Sequence, residues 1–242
     1  MKLVIVRHGD PDYEHDTLTE TGRIEAMLAA ERLKGHAFAA CYVSPLGRAQ
    51  DTAEYTLDAC GMKAVTLPWL REFHAPILHP DTGDVRVPWD WLPAAWTAEP
   101  RYYDKDRWAE PDVMQAHHVG AEAQRVYEGL DAVLAEHGYL RDGMIYRAER
   151  PNRDTLLFFC HFGVECVMLG HLTGISPMVL WHGFCAAPTA ITVVSTEERR
   201  KGVAAFRINT FGDTGHLHAA GREPSFSARF CETFDCDAER HD

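Results

Sequence analysis

A chain of 242 residues with 46% hydrophobic content is long enough for one large domain or two small ones and can fill a sizeable core. Its formal charge of -12 repels a phosphate-rich polymer over most of the surface, which sets nucleic acid aside and makes any local concentration of arginine informative. Seven cysteines, an odd number scattered mostly singly through apolar stretches, read as reduced thiols rather than a disulfide framework.

The first segment, KLVIV, is a continuous apolar run that reads as a strand buried on both faces, and it ends on Arg7-His8-Gly9. Met1 leads straight into it without a charged-then-apolar leader, and no apolar stretch approaches the length of a membrane span, so the expected location is the cytoplasm with no membrane partner. LTETGRIEAMLAAERLKG follows, with Ile24, Met27, Leu28 and Leu33 close to a helical stripe and Gly35 as its stop. The plan then repeats. AACYV reads as a short strand ending at Ser44-Pro45, and a helix from about Gly47 carries Ala49, Ala53 and Leu57 before Gly61. KAVTLPWL reads as a third short strand running into Arg71-Glu72.

From Phe73 to about His118 the periodicity disappears while prolines and aromatics accumulate. Trp69, Trp89, Trp91, Trp96 and Trp108 fall in or beside this stretch. Disordered segments are poor in aromatics, so a packed insertion is expected, either a cap walling a pocket or an element of dimerisation and core packing. The cap is the preferred reading, and a homodimer stays open. AEAQRVYEGLDAVLAEHG reads as an amphipathic helix with Val126, Leu130, Val133 and Leu134 on one face. Arg147, Arg150 and Arg153 in YRAERPNRD each have an acidic neighbour and read as a solvated loop. TLLFFCHFG is a second wholly apolar strand ending in His161, with the helix VECVMLGHLTG behind it. AITVVSTE and KGVAAFRINTF read as two strands joined by a charged turn, a hairpin at a sheet edge, and the tail from Gly212 has no period. Strands alternating with helices give the expected fold: α/β, with a mostly parallel central sheet flanked by helices in three layers, one domain over 1–242 and an irregular or helical cap over 73–118.

Ligands collect at the carboxyl ends of strands in such sheets. Here those ends carry Arg7-His8-Gly9, then Ser44-Pro45 with Arg48 just beyond, then Arg71-Glu72, then His161. Parallel neighbours would bring two arginines, two histidines and a carboxylate to one edge. Arginine forks grip phosphate, and histidine can donate to its oxygens or attack phosphorus. Arg48 near a helix N-terminus is disfavoured by the helix dipole and calls for an anion nearby.

VRHGD, SPLGRAQDTAE, LREF and CHFG, in that order, resemble the motifs of the histidine phosphatase superfamily, the phosphoglycerate mutase-like proteins, and LTETGRIEA is similar to the helix opening after the first motif. The resemblance implies that His8 is the nucleophile, forming a phosphohistidine. It implies that Arg7, Arg48 and His161 hold the phosphoryl oxygens and that Glu72 protonates the leaving oxygen and then activates water. Gly9 would let the backbone approach the bound phosphate closely. Two guanidiniums and an imidazolium serve a transferring phosphoryl group without a metal or other cofactor. His8 would be neutral at the attacking nitrogen with its other ring nitrogen held by a backbone carbonyl. Glu72, beside Leu70 and Phe73, would keep a raised pKa, with Asp10 as a substitute carboxylate.

The sequence also departs from the family pattern. DPDYEHD after the first motif lacks the Ser or Thr and the Asn common in the mutase branch, Phe162 stands where a small residue is frequent, and a mutase-type substrate loop is not visible in the insertion. The expected activity is therefore metal-independent hydrolysis of a small phosphorylated metabolite, a phosphatase. The alternatives are a phosphomutase and a catalytically silent phospho-ligand-binding protein. Fourteen histidines, among them His117-His118, His216 and His218, form no HExxH, and Cys231 and Cys236 have no second pair, so no metal site is expected.

Overall fold

The computed structural model describes residues 1–227 and 229–236. Strand β1 (Lys2–Arg7) leads through a small antiparallel pair, β2 (Pro11–Asp12) and β3 (Thr17–Leu18), to helix α1 (Glu20–Leu33), which Thr19 caps by accepting from the Gly22 N–H. β4 (Ala40–Val43), α2 (Gly47–Cys60) and β5 (Val65–Thr66) follow. The expected third strand is only these two residues long. Pro68, which has no N–H for a ladder, opens a 3-10 turn at Pro68–Leu70 instead.

The segment 73–118 contains a short hairpin, β6 (Ile77–Leu78) with β7 (Val85–Arg86), then α3 (Pro93–Trp96), a 3-10 turn at Pro100–Tyr103, and α4 (Asp112–Ala116). Helix α5 (Val119–Glu136) runs into a second hairpin, β8 (Tyr139–Asp142) with β9 (Ile145–Ala148), and then β10 (Thr155–Cys160), α6 (Phe162–Thr173) and α7 (Pro177–Gly183). β11 (Ile191–Arg200), β12 (Val203–Asp213) and α8 (Gly215–Ala219) complete the elements.

Eight strands form one mixed sheet in the order β5-β4-β10-β1-β11-β12-β9-β8. The half from β5 to β1 is parallel, and β11 onward is antiparallel. The α/β class is as the sequence indicates, with helices on both faces. Side chains alternate across the pleat: Leu3, Ile5, Leu156 and Phe158 join the core under α5 and α6, while Val4, Val6, Leu157 and Phe159 pack with Leu33 of α1 and Ala53 of α2. The β11–β12 hairpin is not at the edge. The apolar start of β11 zips onto β1, and the hairpin β8–β9, which has no clear apolar alternation in sequence, takes the edge place. Arg147 lies on β9 with Glu149 as partner, and Arg150 donates to the Glu136 carbonyl, so these arginines make surface contacts of their own.

Phe73, Trp91, Tyr102 and Trp108 of 73–118 are core, Trp89 and Trp96 are partly buried against it, and Tyr103 is exposed. Trp108 and Phe73 both pack on Trp181 of α7, with centroids 5.5 and 5.2 Å apart, and Trp91 meets Tyr102 edge-on. Among the described residues no helix is long and apolar enough to cross a membrane.

Candidate active site

Register places the site. Arg7 pairs with Cys160 and Phe159 pairs with Val43, so His8, His161 and Ser44 leave three adjacent parallel strands at the same edge. The backbone after β1 is pinned from four sides. The His8 N–H donates to the Cys160 carbonyl, the His8 carbonyl accepts from the Thr189 N–H, the Gly9 N–H donates to Thr52 Oγ1, and the Asp10 N–H donates to Glu25 Oε2. The close approach expected at Gly9 is made by α1: a Cβ on Gly9 would lie 2.6 Å from the Gly22 carbonyl oxygen.

His8 Nδ1 lies 2.8 Å from the Gly9 carbonyl oxygen. A carbonyl can only accept, so Nδ1 carries the proton and Nε2 keeps its lone pair. The ring faces that of His161, with centroids 5.0 Å apart. His161 caps the start of α6, and its Nε2 is 2.7 Å from Ser44 Oγ. Ser44 Oγ accepts from the Leu46 N–H and has its own proton to give to Nε2, which leaves the Nδ1 proton of a neutral His161 buried and without a partner.

Arg7 donates through Nη1 to the carbonyls of Ala186 and Ser227, while its Nε is buried and has no partner among the described residues. Arg48, in the first turn of α2, has its Nη1 2.6 Å from Asp16 Oδ1 and lies over the Tyr13 ring. Asp16 also accepts from the Gly47 N–H through Oδ2. It is thus the anion that Arg48 calls for, and it offsets the dipole of α2 as well. Glu72 is half-buried, but its carboxyl group is held on both oxygens. Its Oε1 accepts from Phe73 N–H and Val164 N–H, and its Oε2 from Gly163 N–H, tying the turn after Leu70 to the first turn of α6. Arg71 points elsewhere, to Glu122 on α5.

Burial drives the electrostatics. It pushes His8 well below the ordinary histidine pKa, and the positive charges of Arg7 and Arg48 push further in the same direction. His161 is lowered for the same reason, with His8 and both arginines adding to it. Both imidazoles are neutral near pH 7. Burial raises Glu72 even though three backbone N–H groups and the Arg7 guanidinium favour its ionised form. One turn into α6, Glu165 is also fully buried and is pushed up to about 7, with Arg7 pulling the other way.

Every site residue expected from sequence except Asp10 and Gly9 therefore presents a titratable or cationic group at this edge. Asp10 turns away from the catalytic role: its carboxylate accepts from Thr19 Oγ1 and Ser227 Oγ. The tail, aperiodic in sequence, lies against the site, with Ser225 N–H donating to Glu25 and the Ser227 carbonyl accepting from Arg7. Sequence reading missed Ser44 as the partner of His161, Asp16 as the partner of Arg48, and Glu165. Only Glu165 carries a signal, as a lone carboxylate in the apolar run VECVML. Among the described residues no group of three His, Cys, Asp or Glu side chains is placed to hold a metal ion.

The family model of the histidine phosphatase superfamily (branch 1) matches residues 3–209. The chain belongs to this superfamily. Curated relatives include proteins named "Probable phosphoglycerate mutase GpmB" from Photorhabdus laumondii, 33% identical over 87 residues, and from Yersinia enterocolitica, 34% identical over 87 residues. In each case the match covers 32% of this chain and 40% of the relative, so the chain spans about two-fifths of the length of the relatives it matches. Among solved structures, phosphoserine phosphatase from Entamoeba histolytica in complex with phosphoserine superposes with a TM-score of 0.61 at 18% identity, over 89% of this chain and 98% of that one. A mycobacterial glucosyl-3-phosphoglycerate phosphatase superposes at 0.58 with 21% identity, over 87% and 98%. These likenesses establish the fold. The histidine phosphatase match stops before the tail that touches Arg7.

Proposed function

We propose that this chain is a metal-independent phosphatase that hydrolyses a small phosphomonoester in the cytoplasm through a phosphohistidine at His8. The observation that carries the reading is the fixed tautomer of a buried, neutral His8 whose attacking nitrogen stands among Arg7, Arg48 and His161.

In the first step the His8 Nε2 lone pair forms a bond to phosphorus while the bond from phosphorus to the ester oxygen breaks, and that oxygen takes a proton from Glu72. The positive charge arising on His8 is met by the Gly9 carbonyl at Nδ1. In the second step Glu72 takes a proton from water, the water oxygen bonds to phosphorus, and the phosphorus–nitrogen bond breaks to return neutral His8 and inorganic phosphate. Arg7, Arg48 and the Nδ1 proton of His161 supply donors for the charge spread over the equatorial oxygens. Their unpaired buried N–H groups support that role, because native proteins rarely leave such donors without an acceptor. The segment 73–118 stands on the Glu72 side, where the leaving group must lie, and we read it as the cap.

The named relatives favour a phosphomutase as the second reading. The test is phosphate release from phenyl phosphate and a panel of phosphorylated metabolites with chelator present, comparing the wild type with His8→Ala. Release that the variant abolishes supports the phosphatase. Phosphate passed between substrate positions with none released to water means a mutase. Binding of phosphate with neither outcome means a silent binding protein.

A further inference from the structure

Trp89 reaches the site from the segment 73–118, outside all four motifs. Its indole Nε1 is buried and makes no hydrogen bond among the described residues. A Cβ placed on Gly163 would meet Glu72 Oε1 at 2.7 Å and Trp89 Nε1 at 2.8 Å, so the carboxyl group and the indole N–H converge on one point at the first turn of α6. The ring is held edge-to-face on Phe162, with centroids 6.0 Å apart and planes at 75°. Phe162 is the residue that departs from the small one frequent after the second histidine. The departure has a physical use here, because it gives the indole a surface to stand on.

An indole N–H can only donate, and leaving it buried and unpaired is destabilising. Glu72 is close, but no hydrogen bond joins the two, and the nearer oxygen, Oε1, already accepts from the Phe73 and Val164 N–H groups. Bulk is not a sufficient reason for the residue, because phenylalanine would pack on Phe162 without that cost. The donor also stands beside the carboxyl group that serves the leaving oxygen. In the proposed mechanism that places it beside the alcohol half of the substrate.

Resting on the phosphatase reading above, we propose that Trp89 is a specificity-determining residue. Its N–H donates to an oxygen acceptor on the carbon next to the ester carbon. The substrate class is then phosphomonoesters of polyols or hydroxy acids, not of plain alcohols.

The test is a size-matched pair, glycerol 1-phosphate, which carries a hydroxyl at that carbon, and propyl phosphate, which does not. In the wild type kcat/KM favours glycerol 1-phosphate, and in Trp89→Phe the ratio between the two falls about tenfold, roughly one hydrogen bond's worth. A ratio unchanged in the variant, whether both rates fall together or neither moves, overturns the proposal and leaves Trp89 as a wall of the pocket. Thermal melting of Trp89→Phe checks that the fold is retained. If the wild type releases no phosphate from either compound, release from phenyl phosphate and the metabolite panel decides the phosphatase reading separately. Calorimetric binding of the same pair to the two proteins then decides, a lost preference supporting the assignment and a retained or absent one overturning it.

Discussion

The His8 and His161 rings stand 5.0 Å apart and tilted by 56°, each on the residue that follows a central parallel strand. Neither can be protonated cheaply so deep in the protein, and each has one ring nitrogen engaged, His8 with the Gly9 carbonyl and His161 with Ser44. In the proposed mechanism the pair therefore divides its work between a free lone pair on His8 and an N–H on His161 that has no partner among the described residues. His8→Ala should abolish turnover, a loss of at least about a thousandfold, while keeping the fold. His161→Ala should cost roughly a hundredfold and slow the appearance of one added phosphoryl mass on the protein after an alkaline quench. That added mass surviving in His8→Ala would place the nucleophile elsewhere.

Glu72 holds together two backbone segments and, in the proposed mechanism, handles a proton. Glu72→Gln should lower kcat by roughly a hundredfold or more on alkyl phosphates and much less on nitrophenyl phosphate, whose leaving group needs no proton. Burial raises the Glu72 pKa, so the first step requires pH below that raised value, and the wild-type rate on alkyl phosphates falls as pH rises through it. The variant should lose this limb. A profile for Glu72→Gln that matches the wild type would remove Glu72 from proton transfer. The amide also sets an N–H against the Gly163 N–H, so some stability is lost as well.

The buried histidines make stability depend on acid. His8 and His161 are lowered well below 6.5, and burial brings His216 down to about 4. A histidine with a depressed native pKa is taken up by protons in the unfolded chain first. Stability is thus fully present above about 6.5 and is lost progressively as pH falls from there through each native pKa. Urea midpoints should drop between pH 7.5 and pH 5, and His216→Gln should weaken that dependence by one proton's contribution. A pH dependence left unchanged in His216→Gln would mean that His216 is not buried as a neutral imidazole.

Glu165 works in the opposite direction. Its native pKa of about 7 lies above the ordinary 4.5 because burial outweighs the Thr192 hydroxyl and Arg7, so its cost is absent at low pH and grows as pH rises toward 7, where a buried carboxylate forms. Glu165→Leu, close in volume, should therefore raise the urea midpoint at pH 8, by the order of a few kcal/mol in stability, and change it much less at pH 5. Equal effects at both pH values would mean that packing, not charge, decides this position.

Much of this arrangement was readable from the chain alone, and what was not has identifiable causes. His8 and His161 were visible because each closes a wholly apolar run, the signature of a strand buried on both faces. Arg48 was visible as a cation on the wrong end of a helix, but its partner Asp16 was not, because DPDYEHD carries no spacing that tells which carboxylate turns back. The antiparallel half of the sheet was half legible: β11 and β12 show as β-branched and apolar runs on either side of a charged turn, whereas β8 and β9 are four residues each and depend on pairing for their shape. Trp89 and Ser227 reach the site through irregular chain, whose path is set by contacts distant in sequence and leaves no periodicity to read.

The turn that carries His8 also depends on a place where two backbones touch. A Cβ on Gly22 would fall 2.2 Å from the Asp10 carbonyl oxygen, and one on Gly9 would strike the Gly22 carbonyl in return, so α1 can lie against the catalytic turn only while both are glycine. Neither atom is the end of a flexible side chain, and relief requires moving α1 or the turn. Gly22→Ala should cost about 1–3 kcal/mol of stability by urea titration. It should also lower kcat more than it raises KM, because the displaced turn holds the Nδ1 acceptor of His8. Gly183→Ala, at the end of α7 with open space around the added carbon, is the matched control and should stay within about 0.5 kcal/mol. If Gly22→Ala behaves like the control in both measurements, α1 does not brace the catalytic turn.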